Sequence, residues 1–225
     1  MIIHLVRHGQ ASFGAENYDL LSPLGERQAR LFAEHAGRLS TAFDAIVTGN
    51  MVRHRQTAEP MGARTGVYPE FDEFDAGAVW NHEMARMIRE DPAVAADMQA
   101  VLTDRLAFAR VFEKMMRRWA KGEIDPKVGE NWRAFLDRVR RGIERVVAEH
   151  AGARHVAVFT SAGPVAAAMR LVLDISDEKT MEIAFAVRNA SVTRLRAGSG
   201  NLALLGFNDT AHLEITGDKT LLTLR

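Results

Sequence analysis

The sequence predicts an α/β protein: a three-layer sandwich with a mainly parallel central sheet, an antiparallel edge strand and helices on both faces. Short apolar, strand-like runs recur at residues 2–6, 45–48, 155–160, 191–196 and 202–207. Helical patterns lie between the early runs, the alternation that builds parallel β-α-β units. The last two runs are joined by Ala197-Gly198-Ser199-Gly200, a hairpin-like turn, so the edge is expected to be antiparallel.

The helices follow from capping and period. Ser22-Pro23 is a helix start, with serine as cap and proline in the first turn. The stretch to residue 39 carries Leu24, Leu31 and Phe32 on a common face. A second helix is expected over 50–64. A third begins at Asn131, with Trp132, Phe135, Leu136, Val139, Ile143, Val146 and Val147 on one stripe of 3.6-residue period. A fourth, rich in alanine, spans 164–173.

Residues 80–128 stand apart as a helical insertion over one end of the sheet, interrupted at Pro92. They hold five of the ten methionines: Met84, Met87, Met98, Met115 and Met116. With Phe108, Phe112 and Trp119 these either pack against one another and the body, or wall an adaptable substrate pocket. The same residues would also serve a homodimer interface. With no repeats or clear linkers, residues 1–225 are expected to form a single domain carrying this insertion.

Composition narrows the function. The 225 residues suit one large α/β domain, and 47% are apolar. Lys+Arg and Asp+Glu both number 29, a balance that points to neither nucleic acid nor an anionic membrane surface. The absence of cysteine excludes disulfides, thiolate zinc sites and cysteine nucleophiles. No apolar run approaches the roughly 20 residues of a membrane span. The apolar run at the start lacks a basic n-region and a small-residue cleavage site, so a soluble cytoplasmic protein is expected.

Arg7-His8-Gly9 follows the first strand at once. The carboxyl end of a strand in an open α/β sheet is where ligands bind. A histidine there can act as nucleophile or base. The neighbouring arginine offers a donor fork suited to phosphate, and the glycine lets backbone approach a ligand.

Five stretches together resemble the histidine phosphatase superfamily, the group that includes cofactor-dependent phosphoglycerate mutase. They are Leu5-Val6-Arg7-His8-Gly9-Gln10, Leu21-Ser22-Pro23-Leu24-Gly25-Glu26-Arg27-Gln28-Ala29, Val52-Arg53-His54-Arg55-Gln56-Thr57-Ala58-Glu59, Phe71-Asp72-Glu73-Phe74-Asp75-Ala76-Gly77 and Val187-Arg188-Asn189-Ala190-Ser191-Val192. Their order and rough spacing agree with the family as well. The resemblance implies that His8 attacks a phosphate monoester and becomes a phosphohistidine. Arg7 and Arg53 would hold the phosphoryl oxygens, Gln10 would add a phosphate contact, and Glu73 would serve as acid and then base. It implies a small phosphorylated substrate, no metal and no other cofactor. Arg55 competes with Arg53, and Asp72 and Asp75 compete with Glu73. His54, His82 and His212 read as surface or structural histidines.

One position departs from the family pattern. The family carries a second histidine in a Ser-His-Gly-type turn after a later core strand; here the turn is Thr160-Ser161-Ala162-Gly163-Pro164. Losing such a donor typically costs about 10²–10³ in rate. The N–H groups of the helix beginning near Pro164, or the hydroxyls of Ser161 or Thr160, are expected to serve the phosphate around Ala162 instead. Three functions remain open: a phosphatase on a small phosphomonoester, a catalytically impaired phosphate-ligand-binding protein, or a phosphoglycerate mutase-type phosphotransferase.

Overall fold

A computed structural model describes residues 1–12, 18–38, 42–62, 65–124, 129–198 and 200–224. Six strands, β1 (Ile2–Arg7), β2 (Ala45–Thr48), β3 (Thr65–Val67), β4 (His155–Thr160), β5 (Val192–Gly198) and β6 (Asn201–Asp209), form one sheet in the order β3-β2-β4-β1-β5-β6. β1, β2, β3 and β4 are mutually parallel, with Leu5 opposite Val158 and Val47 opposite the same Val158. β5 pairs antiparallel with β1 and β6 antiparallel with β5, giving the expected antiparallel edge.

Period-2 alternation sends neighbouring side chains to opposite faces. Ile3, Leu5, Val156, Val158 and Leu195 pack on one face with Phe135, Val139, Ile143 and Val146 of α6 (Trp132–Glu149). Val6, Ala157 and Phe159 point the other way, onto Phe32 of α1 (Pro23–Arg38) and Ala58 of α2 (Val52–Ala58). Each fully buried large side chain contributes about 1.5–3 kcal/mol, so these two stripes hold the layers together.

Local signals explain the helix ends. Ser22 Oγ accepts from Gly25 N (3.1 Å), the cap its position predicts. α1 closes at Arg38, and residue 39 lies outside the described residues. The helix expected over 50–64 is shorter. After α2 the chain tightens into a 3₁₀ turn at Glu59–Met61, and Gly62 reverses it at φ +64°; residues 63 and 64 lie outside the described residues. The α6 stripe is as expected except at its margin: Val147, turned about 100° from buried Val146, is exposed.

The insertion expected over 80–128 corresponds to α3 (Ala76–Glu90), which starts four residues earlier, α4 (Pro92–Met98) and α5 (Arg105–Ala120), with Asp91 capping α4 just before Pro92; residues 125–128 lie outside the described residues. Met84, Met87, Met115, Met116 and Trp119 are buried in the same apolar cluster as the sheet, and Met98 packs against it. α7 (Ala162–Leu173) begins two residues before the expected start. Its Pro164 still falls in the first turn, where no N–H is needed. The sequence pattern had not revealed β3, α8 (Asp177–Ala186) or α9 (Ala211–Glu214).

Candidate active site

The site lies at the carboxyl ends of β1 and β4. His8 N donates to Thr160 O (2.8 Å), while His8 O accepts from Ala190 N (3.1 Å) and Asn189 Nδ2 (3.3 Å). Gly9 N donates to Thr57 Oγ1 (3.1 Å), which ties the turn to α2. Gly9 also faces Gly25 backbone to backbone. A Cβ on Gly9 would lie 2.4 Å from Gly25 O, and one on Gly25 would lie 2.1 Å from Gln10 O. Two distant motifs therefore share one physical reason: their glycines let the strand end and the start of α1 touch.

The His8 ring is buried. Its Nδ1 is 2.6 Å from Gly9 O. A carbonyl only accepts, so Nδ1 carries the proton and Nε2 keeps its lone pair. Burial pushes the His8 pKa well below 6.5, and Arg53, Arg7 and His54 push the same way. The imidazole is therefore neutral, as a nucleophile requires.

Two guanidiniums flank it. Arg7 Nη1 donates to Leu224 O (2.7 Å) and to Val187 O, which anchors the head group to two chain segments. Arg53 is buried, and its Nη1 donates to Asp19 Oδ1 (2.7 Å); Asp19 Oδ2 accepts from Val52 N (2.8 Å). One carboxylate thus caps the start of α2 and orients Arg53. Arg55 turns outward to Asn50 and is exposed.

The three acidic neighbours separate cleanly. Asp72 Oδ1 accepts from Asn50 N, and Asp75 Oδ1 caps α3 by accepting from Ala78 N (2.9 Å). Glu73 faces the cavity. Its Oε2 accepts from Gly163 N (3.1 Å) in the first turn of α7, and its Oε1 from Phe74 N (3.3 Å). Removal from water raises the Glu73 pKa; the Gly163 N–H and Arg53 oppose that shift without overcoming it.

Not every expected group reaches the cavity. Gln10 Oε1 accepts from Ser22 Oγ (2.9 Å), and Gln10 is not among the cavity-lining residues. Thr160 Oγ1 donates to Phe71 O (2.6 Å), and Ser161 Oγ pairs with His54 Nε2 (2.7 Å). Both expected hydroxyls are thus committed elsewhere, while Ala162 and Gly163 line the cavity themselves. His54 is buried and His212 packs edge-on against Phe32; the His82 side chain is 42% exposed, at the surface.

The cavity measures about 740 Å³. Arg7, His8, Arg53, Glu73 and Asn189 form its polar end, with the Arg53 guanidinium 5.8 Å from the Tyr18 ring centre; Met51, Phe74, Asp75, Trp80, Phe108, Phe112, Met181 and Phe185 are among the other lining residues. α8 carries no clear periodic stripe, so nothing in the sequence singles out Met181 and Phe185. The methionines of α3 to α5 are core residues, and the wall they were a candidate for is aromatic instead. The polar end presents a neutral imidazole, two cations and a carboxyl with a raised pKa. That set suits transfer of an anionic group to nitrogen with proton delivery to the group that leaves. Among the described residues no cluster of three or more His, Asp or Glu side chains could hold a metal ion, and no helix is long and apolar enough to cross a membrane.

Comparisons with known proteins agree with this architecture. A putative alpha-ribazole-5'-P phosphatase from Escherichia coli superposes at TM-score 0.64 with 19% identity, covering 93% of this chain and 96% of that one. A mycobacterial glucosyl-3-phosphoglycerate phosphatase in complex with inorganic phosphate gives 0.65 and 22%, covering 94% and 98%. A phosphoserine phosphatase from Entamoeba histolytica in complex with 3-phosphoglyceric acid gives 0.66 and 16%, covering 94% and 98%. At these identities the likeness is one of fold. No curated protein sequence matches the chain. The sequence family comparison matches residues 3–210, a span that holds His8, Arg53, Glu73 and the Ala162 turn alike, and by that match the chain belongs to the histidine phosphatase superfamily, branch 1.

Proposed function

We propose that this protein is a metal-independent phosphomonoesterase working through a phosphohistidine at His8, within a single domain. The observation that carries the reading is the placement of His8: buried, with Nδ1 2.6 Å from Gly9 O, in the cavity that Arg7, Arg53 and Glu73 also line.

In the first half-reaction His8 Nε2 attacks phosphorus in line and the ester P–O bond breaks. The departing alkoxide takes the proton of Glu73, whose raised pKa favours the protonated form. In the second half the Glu73 carboxylate takes a proton from water. The hydroxide attacks phosphorus, the P–N bond breaks, and phosphate leaves with His8 neutral again. Arg7 and Arg53 balance the phosphoryl charge throughout, so the arginines supply what a metal would otherwise supply.

Ala162 favours a second reading, a protein that binds a phosphorylated ligand without turning it over. The two readings separate on one experiment: hydrolysis of an aryl phosphate with chelator present, from pH 5 to 8, by the native protein and by His8→Ala. Activity that disappears with His8, together with acid-labile phosphate trapped on the native protein, supports the phosphatase. Phosphate binding with no turnover above the variant supports the binding protein.

A further inference from the structure

The shape of the cavity beyond its phosphate end speaks to the alcohol half of the substrate. Trp80 of α3 stacks on Phe108 of α5 (ring centres 5.5 Å apart, planes at 23°), and Phe108 stacks on Phe112 (5.7 Å, 16°). Phe112 meets Phe185 of α8 edge-on at 6.3 Å, and Met181 of the same helix lies beside them. These side chains are at most half-exposed, and together they make a continuous apolar wall from three helices.

Charge is distributed just as unevenly. Arg7 and Arg53 are the two cationic side chains among the described lining residues, and both stand at the phosphate end. The remaining charged lining residue outside that end is Asp75, a carboxylate already engaged as the cap of α3. A carboxylate or second phosphate on the substrate would therefore find no cationic side chain among the described residues of the wall, and would lose its hydration there. An apolar ring would instead gain both burial and offset stacking.

We infer that the natural substrate is a phosphate monoester of a bulky apolar or aromatic alcohol with no second anionic group near the ester. The inference rests on the phosphate-end reading above and refines "small phosphorylated substrate" to one class within it. It also disfavours a phosphoglycerate-type mutase, whose substrates carry a carboxylate next to the reacting carbons.

Binding of non-hydrolysable phosphonates tests the class apart from turnover. Calorimetry on the whole protein would compare 1-naphthylmethylphosphonate with 3-phosphonopropionate, using inorganic phosphate as a reference. The naphthyl compound is expected to bind at least about tenfold more tightly than the carboxylate compound. Phe108→Ala should remove most of that preference while leaving phosphate affinity unchanged. Equal or stronger binding of 3-phosphonopropionate to the native protein overturns the class, even if aryl phosphates are hydrolysed. Selective naphthyl binding without any hydrolysis keeps the class and rejects the phosphatase. Loss of phosphate binding by Phe108→Ala would mark that variant as damaged, and the comparison on native protein, repeated with Ala184→Phe to fill the cavity that Ala184 of α8 also lines, then decides. The filled cavity should lose the naphthyl compound and keep phosphate; a naphthyl affinity unchanged by Ala184→Phe overturns the proposal.

Discussion

The ring of His54 lies 5.8 Å from that of His8, centre to centre, with its Nε2 2.7 Å from Ser161 Oγ. The two buried imidazoles belong to different motifs, and His54 contributes to keeping His8 unprotonated. His54→Ala should therefore act twice. Losing the ring and the bond to Ser161 should cost about 2–4 kcal/mol in urea denaturation. The acid limb of the rate profile should also move to higher pH, because His8 then protonates more readily. A destabilised variant with an unmoved acid limb would reduce His54 to a packing residue.

Glu73→Gln should lower turnover of alkyl phosphates by about 10²–10⁴, since the amide can neither give nor take the proton. Esters with good leaving groups need less help in the first half and should load His8 with phosphate that water then removes slowly. Rapid-quench trapping would see that accumulation; a variant that neither turns over nor accumulates phosphoenzyme would place the proton donor elsewhere.

Ala162→His should raise kcat by about 10²–10³ if the first turn of α7 is short of one phosphate donor. An unchanged kcat in a folded variant would mean that the existing groups already saturate the transition-state charge.

Gly9→Ala should be among the most damaging single changes in the chain. Its Cβ would sit 2.4 Å from Gly25 O, a backbone atom on another element, which cannot move aside as a side-chain tip can. Loss of several kcal/mol and of phosphate binding together is expected. Circular dichroism melting alongside a phosphate titration checks both.

His4 and His212 are buried, chiefly by that burial pushed down to about 4. Their unfolded counterparts titrate near 6.5, so between pH 6.5 and 4 the unfolded chain binds more protons. Stability should be fully present above pH 6.5 and fall as pH drops toward 4, by up to about 3 kcal/mol per histidine. His212→Asn should flatten that slope in urea titrations at several pH values. A slope identical to the native one would mean that His212 does not stay neutral in the fold.

Much of this was legible in the sequence, and for identifiable reasons. His8 follows, and Arg7 ends, a strand whose other residues are apolar apart from His4. Ser22 and Asn131 cap helices by local chemistry that needs no tertiary context. Gln10, Thr160 and Ser161 were different: their type suits a phosphate, but their rotamers are set by Ser22, Phe71 and His54, which are distant in sequence. Phe108 and Phe112 already stand among the sequence's candidates for a pocket wall, but their partner Phe185 was hidden for a related reason. Phe112 and Phe185 come together only because α5 packs on α8, and no periodicity within either segment announces that contact.

The position of β1 carries a kinetic consequence. The strand that presents His8 sits inside the sheet, and both of its neighbours come from residues beyond 154: Ile2 pairs with His155 on one side and Arg196 on the other. Closing loops of that length comes late, because local helices form in microseconds while distant strand pairing waits on the ordering of the chain between. After dilution from denaturant, far-ultraviolet ellipticity should therefore recover before the nucleophile does, and regained phosphate binding would time the last stage of refolding.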